Sequence, residues 1–496
     1  MKIPVIINDF SGGQAEDIRN FSTNEQETSS NFDVYTNPHY LTPYIDMIAE
    51  TTSAGTITDY ALTDVDAITV AGTTSLVALG RESSGSSKPQ FFRKSSSSDI
   101  TSTWQAYAVG VNTVVAGTLT VYKGNAYCLG DTTTTHNLQK FDGTGAVTTI
   151  GVLGGYGTPV GRPFVHPEDN IMYMLSANIL SKYDGTTFTA TALTLPSDKV
   201  GVSLTSYSGY LVLTCRPKNG VGNSTAYLWD VGSAPSTVQA VLDLGAGQVN
   251  IVESLYNNLF FVMSKGVVGS YSNVINNTLS IKGYAGGSVE TIKEVNLSSA
   301  LGTGLNVFKQ KRDEHLFFAF SGDTAIYRFG KNKAGSYFLS HDRAYPTGTT
   351  GITGFSLTGD FLWLGYNTGA TSNLFYRTRT APDSLTYSTT SIYRTTVNQG
   401  MMIEDRNKNK ALVAVLIAYT GIANGTTALK VSLDGSTFTT ILSEANTGEC
   451  TAEATSILST GEPIGEGREL KFQGETTGGN KIKEIRYIYQ VLPSQI

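Results

Sequence analysis

The chain has 496 residues but spends only 15% of them on charged side chains, and its formal net charge is −6. So mild an acidic balance argues against binding nucleic acid through a basic face, because neutralising phosphates takes clustered Lys and Arg. With 52 glycines, 10% aromatic residues and visibly abundant Thr and Ser, the composition is β-rich, and the length exceeds one ordinary core unless that core repeats.

The chain opens on "MKIPVIINDF", an apolar run too short for the h-region of a signal peptide. No stretch approaches the roughly 18 apolar residues of a membrane-spanning helix. The expectation is a soluble protein made in a cytoplasm, not exported by a classical signal and without a membrane span. Residues 1–56 are polar, with isolated aromatics (Phe10, Phe21, Phe32, Tyr35, Tyr40, Tyr44) and no sustained period. They read as an extended arm that cannot bury itself and must lie along something else. Gly12-Gly13 lets the arm turn sharply, which sets Phe10 and Phe32 as separate anchors for partner pockets. The competing reading packs the arm on its own chain, closing the first repeat.

Residues 57–395 repeat. "NLQKFDGTGAVTT" and "ILSKYDGTTFTAT" are nearly the same phrase: an apolar residue, Lys140 or Lys182, an aromatic, Asp-Gly, then a Thr-rich run. Asp-Gly between alternating runs predicts a hairpin with a type I′ turn. Aligning on the aromatic gives Phe92, Phe141, Tyr183, Trp229, Tyr271, Phe329 and Tyr376, spaced by about 49, 42, 46, 42, 58 and 47 residues. Before each anchor runs a very apolar stretch, such as "NAYCLGD", "IMYMLSA", "GYLVLTCRP" and "NLFFVMSKG", and before that a weaker one. Thr/Val/Ala alternation follows. Each unit therefore reads as four antiparallel strands, and the array as a β-propeller of about seven blades. Six or eight blades fit nearly as well, since the first unit is least like the rest. A sandwich array or β-helix fits worse, because solenoid rungs are shorter and more regular.

From residue 396 the register changes to longer alternating strands, "KALVAVLIAYTG", "TALKVSLDGSTFTTIL" and "KIKEIRYIYQVL", which predict a separate β-sandwich over 396–496. The whole is expected to be all-β: arm 1–56, propeller 57–395, sandwich 396–496.

Sites of chemistry are sparse. His39, His136, His166, His315 and His341 show no zinc spacing, and there is no GxSxG elbow, P-loop or GxGxxG after a strand. Cys128, Cys215 and Cys450 are odd in number and far apart, which fits small apolar residues in a reducing compartment. Asp64 and Asp66 in "DVDAIT" share one side of a strand and suit calcium or, preferably, a solvated turn. "SLDGSTF" resembles the Asp-box of sialidases but is one residue short, so a hairpin turn is preferred. Glycosidase chemistry needs paired carboxylates, and Glu253, Glu290, Asp313 and Glu314 are scattered. The cluster Lys309, Lys311, Arg312 reads as a solvated strand end. No cofactor, metal or catalytic residue is assigned. Trp104, Trp229 and Trp363 suit blade packing or sugar stacking.

The opening "DFSGGQ" followed by "NEQETSSNFDVYTNPHYLTPY" resembles the start of tail proteins of tailed bacteriophages, through Phe10, Gly12, Gly13, Asn31, Phe32, Leu41 and Pro43. The match is partial: that family follows with Arg-Pro-Gly, where this chain reads Leu41-Thr42-Pro43-Tyr44. The resemblance implies a virion structural protein, made in the host bacterial cytoplasm and placed in the tail as a nozzle or hub ring. It implies a cyclic homo-oligomer, a hexamer, touching adjacent tail or adaptor proteins and passing DNA without specific contacts. Its partner-binding residues would be Phe10, Gly12, Gly13, Asn31, Phe32 and Tyr44. Two other classes stay open: a glycan-binding host-recognition propeller, and a propeller glycoside hydrolase.

Overall fold

Pairs of residues with left-handed backbone mark the repeat in the structure, a computed structural model. It describes residues 2–7, 26–30, 32–33, 41–43, 48–49, 60–82, 89–94, 104–109, 113–132, 134–145, 147–157, 162–219, 222–231, 238–267, 275–301, 307–320, 326–331, 335–342, 351–358, 361–368, 371–378, 390–399, 401–434, 437–455 and 463–493. The chain divides into two compact units, Ile48–Ala325 with Tyr345–Arg379, and Met1–Met47 with Ile326–Ala344 and Thr380–Ile496.

In the first of these, five antiparallel four-stranded sheets follow one another along the chain. Sheet one is Tyr60–Val70, Thr73–Glu82, Pro89–Lys94 and Gln105–Val109; sheet two is Thr113–Tyr122, Asn125–Asp131, His136–Phe141 and Thr148–Val152. Sheet three is Phe164–Val165, Met172–Ser176, Ile179–Tyr183 and Phe188–Thr194. Sheet four is Lys199–Tyr207, Tyr210–Pro217, Asn223–Trp229 and Ala240–Ala246; sheet five is Gln248–Leu255, Asn258–Val267, Ile275–Tyr284 and Val289–Leu301. A hairpin of Val307–Arg312 and His315–Phe320 comes next. A closing sheet pairs Gly351–Thr358, Phe361–Thr368 and Thr371–Thr378 with Ile48–Ala49 from the other end of the unit.

First and second strands are joined by two-residue turns: Ala71-Gly72, Lys123-Gly124, Ser208-Gly209, Tyr256-Asn257 and Asp313-Glu314. Both residues of each have positive φ, for example 46° and 76° at Lys123-Gly124 and 48° and 58° at Asp313-Glu314. These are the type I′ turns, whose twist matches that of the flanking strands. The Asp-Gly pairs are something else. At Asp142-Gly143 and Asp184-Gly185 only the glycine has positive φ, 88° and 100°. The Asp184 carboxylate accepts the Thr186 and Thr187 amides, each at 2.7 Å, and Asp142 accepts those of Thr144 and Gly145, each at 2.8 Å. The side chain thus mimics a backbone turn and supports a longer connection than a type I′ turn. Asp-Gly predicted the hairpin correctly and its turn type incorrectly.

The apolar second strands are buried on both faces. In Asn125–Asp131, Ala126 and Cys128 pack with Ile68, Val77, Leu79 and Phe91 of sheet one, while Tyr127 and Leu129 pack with Met172, Met174 and Tyr183 of sheet three. Leu175 joins Leu211, Leu213 and Trp229 in the next layer, and Val212 joins Val252 and Phe261 in the one after. Two-sided burial removes any reason to alternate apolar with polar, which is why these strands read as continuous apolar runs. Phe141, Tyr183 and Trp229 are equivalent in register, opposite Ala126, Met172 and Leu211. In sheet five that place, opposite Leu259, belongs to Tyr284; Tyr271 lies outside the described residues.

First strands touch in succession. That of sheet four contacts that of sheet five, then come Val307–Arg312, Gly351–Thr358, Tyr60–Val70 and Thr113–Tyr122 in turn, so the array closes on itself. It is an all-β propeller. Ile48–Ala49, expected in the arm, completes its last sheet, leaving the ring without an open seam.

The other unit is built on two five-stranded sheets. One is ordered Lys2–Ile7, Lys481–Val491, Lys410–Gly421, Gly448–Thr455, with Gly465–Gly467 also on Lys410–Gly421; the other is Gln26–Ser30, Ser391–Thr395, Lys471–Thr476, Thr427–Ser432, Thr439–Glu444. Val5, Ile7, Phe32, Leu41, Tyr393, Val415, Ile417, Phe472, Ile485 and Tyr487 share its core. The sandwich read over 396–496 therefore takes strands from the first 56 residues. Leu41 exchanges backbone hydrogen bonds with Ile482 at 2.9 and 3.2 Å, and Phe32-Asp33 pairs with Thr42-Pro43. A hairpin of Ile326–Lys331 and Tyr337–Asp342 also belongs to this unit.

Candidate functional site

Polar groups collect on the first strands of the ring, where register shifts interrupt the ladders. Shifts occur between Leu62 and Asp64, Gly201 and Ser203, Val249 and Ile251, and Ile352 and Gly354, the last three at the same distance from the turn that follows and the first two residues farther from it. An extra residue there re-aims a side chain that regular pleating would send to the other face.

At the first of these, Asp64 is turned inward and its side chain is 2% exposed. Its two carboxylate oxygens accept the Val65 amide at 2.9 Å and the Leu119 amide at 2.8 Å. The Arg162 guanidinium, from the segment before sheet three, stands 3.3 Å from Asp64 and 3.8 Å from Asp66, and donates to the Leu119 carbonyl at 2.5 Å. Burial pushes Asp64 up to about 7, outweighing the pull of Arg162, and also raises Asp66. One guanidinium thus ties three consecutive sheets. Neither carboxylate is arranged as a calcium ligand, and no group of three acidic, His or Cys side chains poised for a metal occurs among the described residues.

A second cluster lies farther round. Lys309 Nζ donates to the Leu204 carbonyl at 2.8 Å, the Val252 carbonyl at 2.7 Å and Glu253 at 3.0 Å. Thr205 donates to the other Glu253 oxygen at 2.8 Å. Lys309 is therefore not on a solvated strand end, contrary to the sequence reading, because the strand faces the ring interior. Lys311, more exposed, does fit that reading: it pairs with Glu314 at 2.9 Å and donates to Ser254. Glu314 also accepts the Tyr256 amide at 2.6 Å, joining one type I′ turn to the next.

These two clusters are what the fold brings together from the scattered acids. Glu290, on the fourth strand of sheet five, accepts a hydrogen bond from Ser288 at 3.1 Å and is a member of neither cluster. For hydrolysis two carboxylates must flank one bond, one as acid and one as base or nucleophile. Asp64 and Asp66 are close in sequence, but Asp64 is sealed and both are claimed by Arg162; Glu253 is held by Lys309. The arrangement suits cross-bracing. Arg162 escaped sequence reading because a lone cation carries no spacing signal, and Lys309 was read only as part of a solvated cluster; closure of the ring shows what each neutralises.

The other candidates resolve individually. His136, 1% exposed, holds Ser176 through Nδ1 at 2.8 Å, and Ser176 in turn donates to the Gly155 carbonyl. With its proton on Gly155, the Ser176 hydroxyl is an acceptor from His136 and is not primed for attack. His166 is fully buried beside Asp169 and Tyr173. Asp434 accepts the amide of the distant Arg468 at 3.3 Å in the sandwich, and Gly435 and Ser436 of the expected turn lie outside the described residues. Trp104 and Trp229 are 0% and 2% exposed and so are core residues, not sugar platforms. Cys128 and Cys215 are buried, free, and raised to about 12 by that burial, which makes them inert.

Of the residues assigned to partner contact, Phe10, Gly12, Gly13, Asn31 and Tyr44 lie outside the described residues. Phe32 is 3% exposed in the sandwich core, so its ring is spent within the chain. An aromatic on a polar segment looks orphaned until the strand that covers it, more than four hundred residues away, is known.

No protein-family model and no curated protein matches the sequence. Among solved structures the chain is similar to an exo-β-1,3-galactanase from Phanerochaete chrysosporium with β-1,3-galactotriose, at 11% identity and a TM-score of 0.30, covering 90% of this chain and 99% of that one. The WD40 domain of Toxoplasma gondii coronin is similar at 9% identity and a TM-score of 0.46, covering 73% and 91%. At such scores neither likeness carries a functional argument.

Proposed function

We propose that the chain is a non-enzymatic structural protein of a phage tail, set in a nozzle or hub ring as a cyclic homo-oligomer through which DNA passes. The observation that supports it most is where the three described residues of the family resemblance sit, Phe10, Gly12, Gly13 and Asn31 lying outside the described residues. Phe32, Leu41 and Pro43 form the small ribbon that fastens the N-terminal segment to the sandwich, with Phe32 and Leu41 in its core. A resemblance that fell on unrelated surface positions would have had no such structural meaning. The bracing of the inner carboxylates suits a rigid propeller in preference to a catalytic one.

The test is direct. Purified protein is imaged by negative stain and weighed by light scattering over a wide concentration range. Closed rings of one subunit number are expected, six being the number implied by the resemblance. A monomer at every concentration, with no rings on the grid, would remove the proposal. Turnover of a fluorogenic glycoside would replace it with the hydrolase reading.

A further inference from the structure

Among the described residues most aromatics of the propeller are buried, but Tyr156 is 47% exposed. It follows sheet two in "GVLGGYG", beside the turn between that sheet's second and third strands. An exposed tyrosine ordinarily swings freely. This one is held in place: its ring lies on His136, centroids 4.7 Å apart and planes at 59°, and Asp131, paired in register with His136, brings its carboxylate close enough to add to the rise that desolvation gives the tyrosine hydroxyl's pKa. His136 is itself immobilised on Ser176. The loop beneath is equally constrained. Gly154 donates to the Ala190 carbonyl at 3.0 Å, and a Cβ on Gly155 would lie 2.2 Å from the Ser176 carbonyl oxygen, so only glycine fits there. Thr132 and Thr135, bonded to each other at 2.6 Å, hold the neighbouring turn.

The result is a rigid aromatic face with a carboxylate at its rim. Its conformational entropy is already lost, so a ligand need not order it. A flat ring next to an acceptor with several lone-pair sites suits a ligand with an apolar face and hydroxyls around its edge. We propose that Tyr156 and Asp131 form a carbohydrate-binding subsite for one hexopyranose ring, with the sugar's C–H face on Tyr156 and a hydroxyl donating to Asp131. The ring would belong to a surface glycan. The subsite shares no residue with either braced cluster and does not depend on the proposed assembly role.

Saturation-transfer NMR on the full-length protein tests this, using the α- and β-methyl glycosides of glucose, galactose, mannose and N-acetylglucosamine, with maltose, lactose and cellobiose. At least one sugar should show transfer concentrated on the C–H protons of one face. Tyr156→Ala should weaken it by about tenfold or more, while Tyr156→Phe, which keeps the platform, should cost only a few-fold. Asp131→Asn should weaken binding without abolishing stacking. Tyr156 is half exposed, so the thermal midpoint of the alanine variant should stay close to that of the parent. Absence of transfer from every sugar, or binding that survives Tyr156→Ala, overturns the proposal. So does binding of a proline-rich peptide to the same ring with no sugar bound.

Discussion

At the scale of single residues, the consequences are set by burial. Asp64 has its folded-state value raised to about 7 from 3.8, so between those values the unfolded chain is ionised while the folded one keeps its proton. Its contribution therefore favours the folded state most at low pH and is lost as pH rises from about 4 to about 7, at roughly 1.4 kcal/mol per unit. Urea midpoints measured across that window should fall in the parent and fall less in Asp64→Asn; parallel curves would mean that Asp64 ionises normally. Trp229, edge-on to Tyr173 with centroids 6.0 Å apart, is wholly interior. Trp229→Ala should lower stability by about 3–5 kcal/mol in equilibrium unfolding. Replacing Lys309 with Met leaves Glu253 uncompensated among buried strands, and a loss of about 3 kcal/mol is expected by the same measurement.

At the scale of elements, the repeat resides in turns and second strands. The type I′ turns carried little sequence signal, because their first residues are Ala71, Lys123, Ser208, Tyr256 and Asp313, with no shared chemistry. A β-carbon in the left-handed region costs about 1–2 kcal/mol, which the surrounding ladder must absorb. Ala71 is exposed at φ 49° with glycine beside it, so Ala71→Gly should raise the thermal midpoint. A lower midpoint would mean that the alanine methyl makes a contact worth more than the strain. By contrast the apolar second strands were legible, since burial on both faces writes itself as an unbroken apolar run.

For the whole molecule, the N-terminal segment decides most. Val5 and Ile7 are 6% and 1% exposed in the sandwich core, and Ile48–Ala49 closes the propeller. Deleting residues 1–47 should therefore lower the melting transition of the sandwich and spare the propeller, whereas extending the deletion to residue 50 should lower both. Calorimetry with limited proteolysis separates the two outcomes, and an unchanged sandwich transition in the shorter deletion would count against the weave. If the protein assembles as a ring, its −6 charge multiplies with subunit number, and duplex DNA should slide through without adhering. Tight, salt-sensitive DNA binding by the purified protein would contradict that passage role.

Composition, period and the apolar runs were enough to determine an all-β propeller followed by a sandwich, because strand pairing within a repeat is local and repeated patterning reports it. Phe141, Tyr183 and Trp229 could be found for the same reason. What only the tertiary structure decided are the pairings across long separations: Arg162 with Asp64, Lys309 with Glu253, Lys2–Ile7 on Lys481–Val491, and Ile48–Ala49 on Thr371–Thr378. A charge or a short strand records in sequence that it needs a partner, but the partner's identity is fixed by ring closure and sandwich packing, which bring distant residues together without any local pattern to announce it.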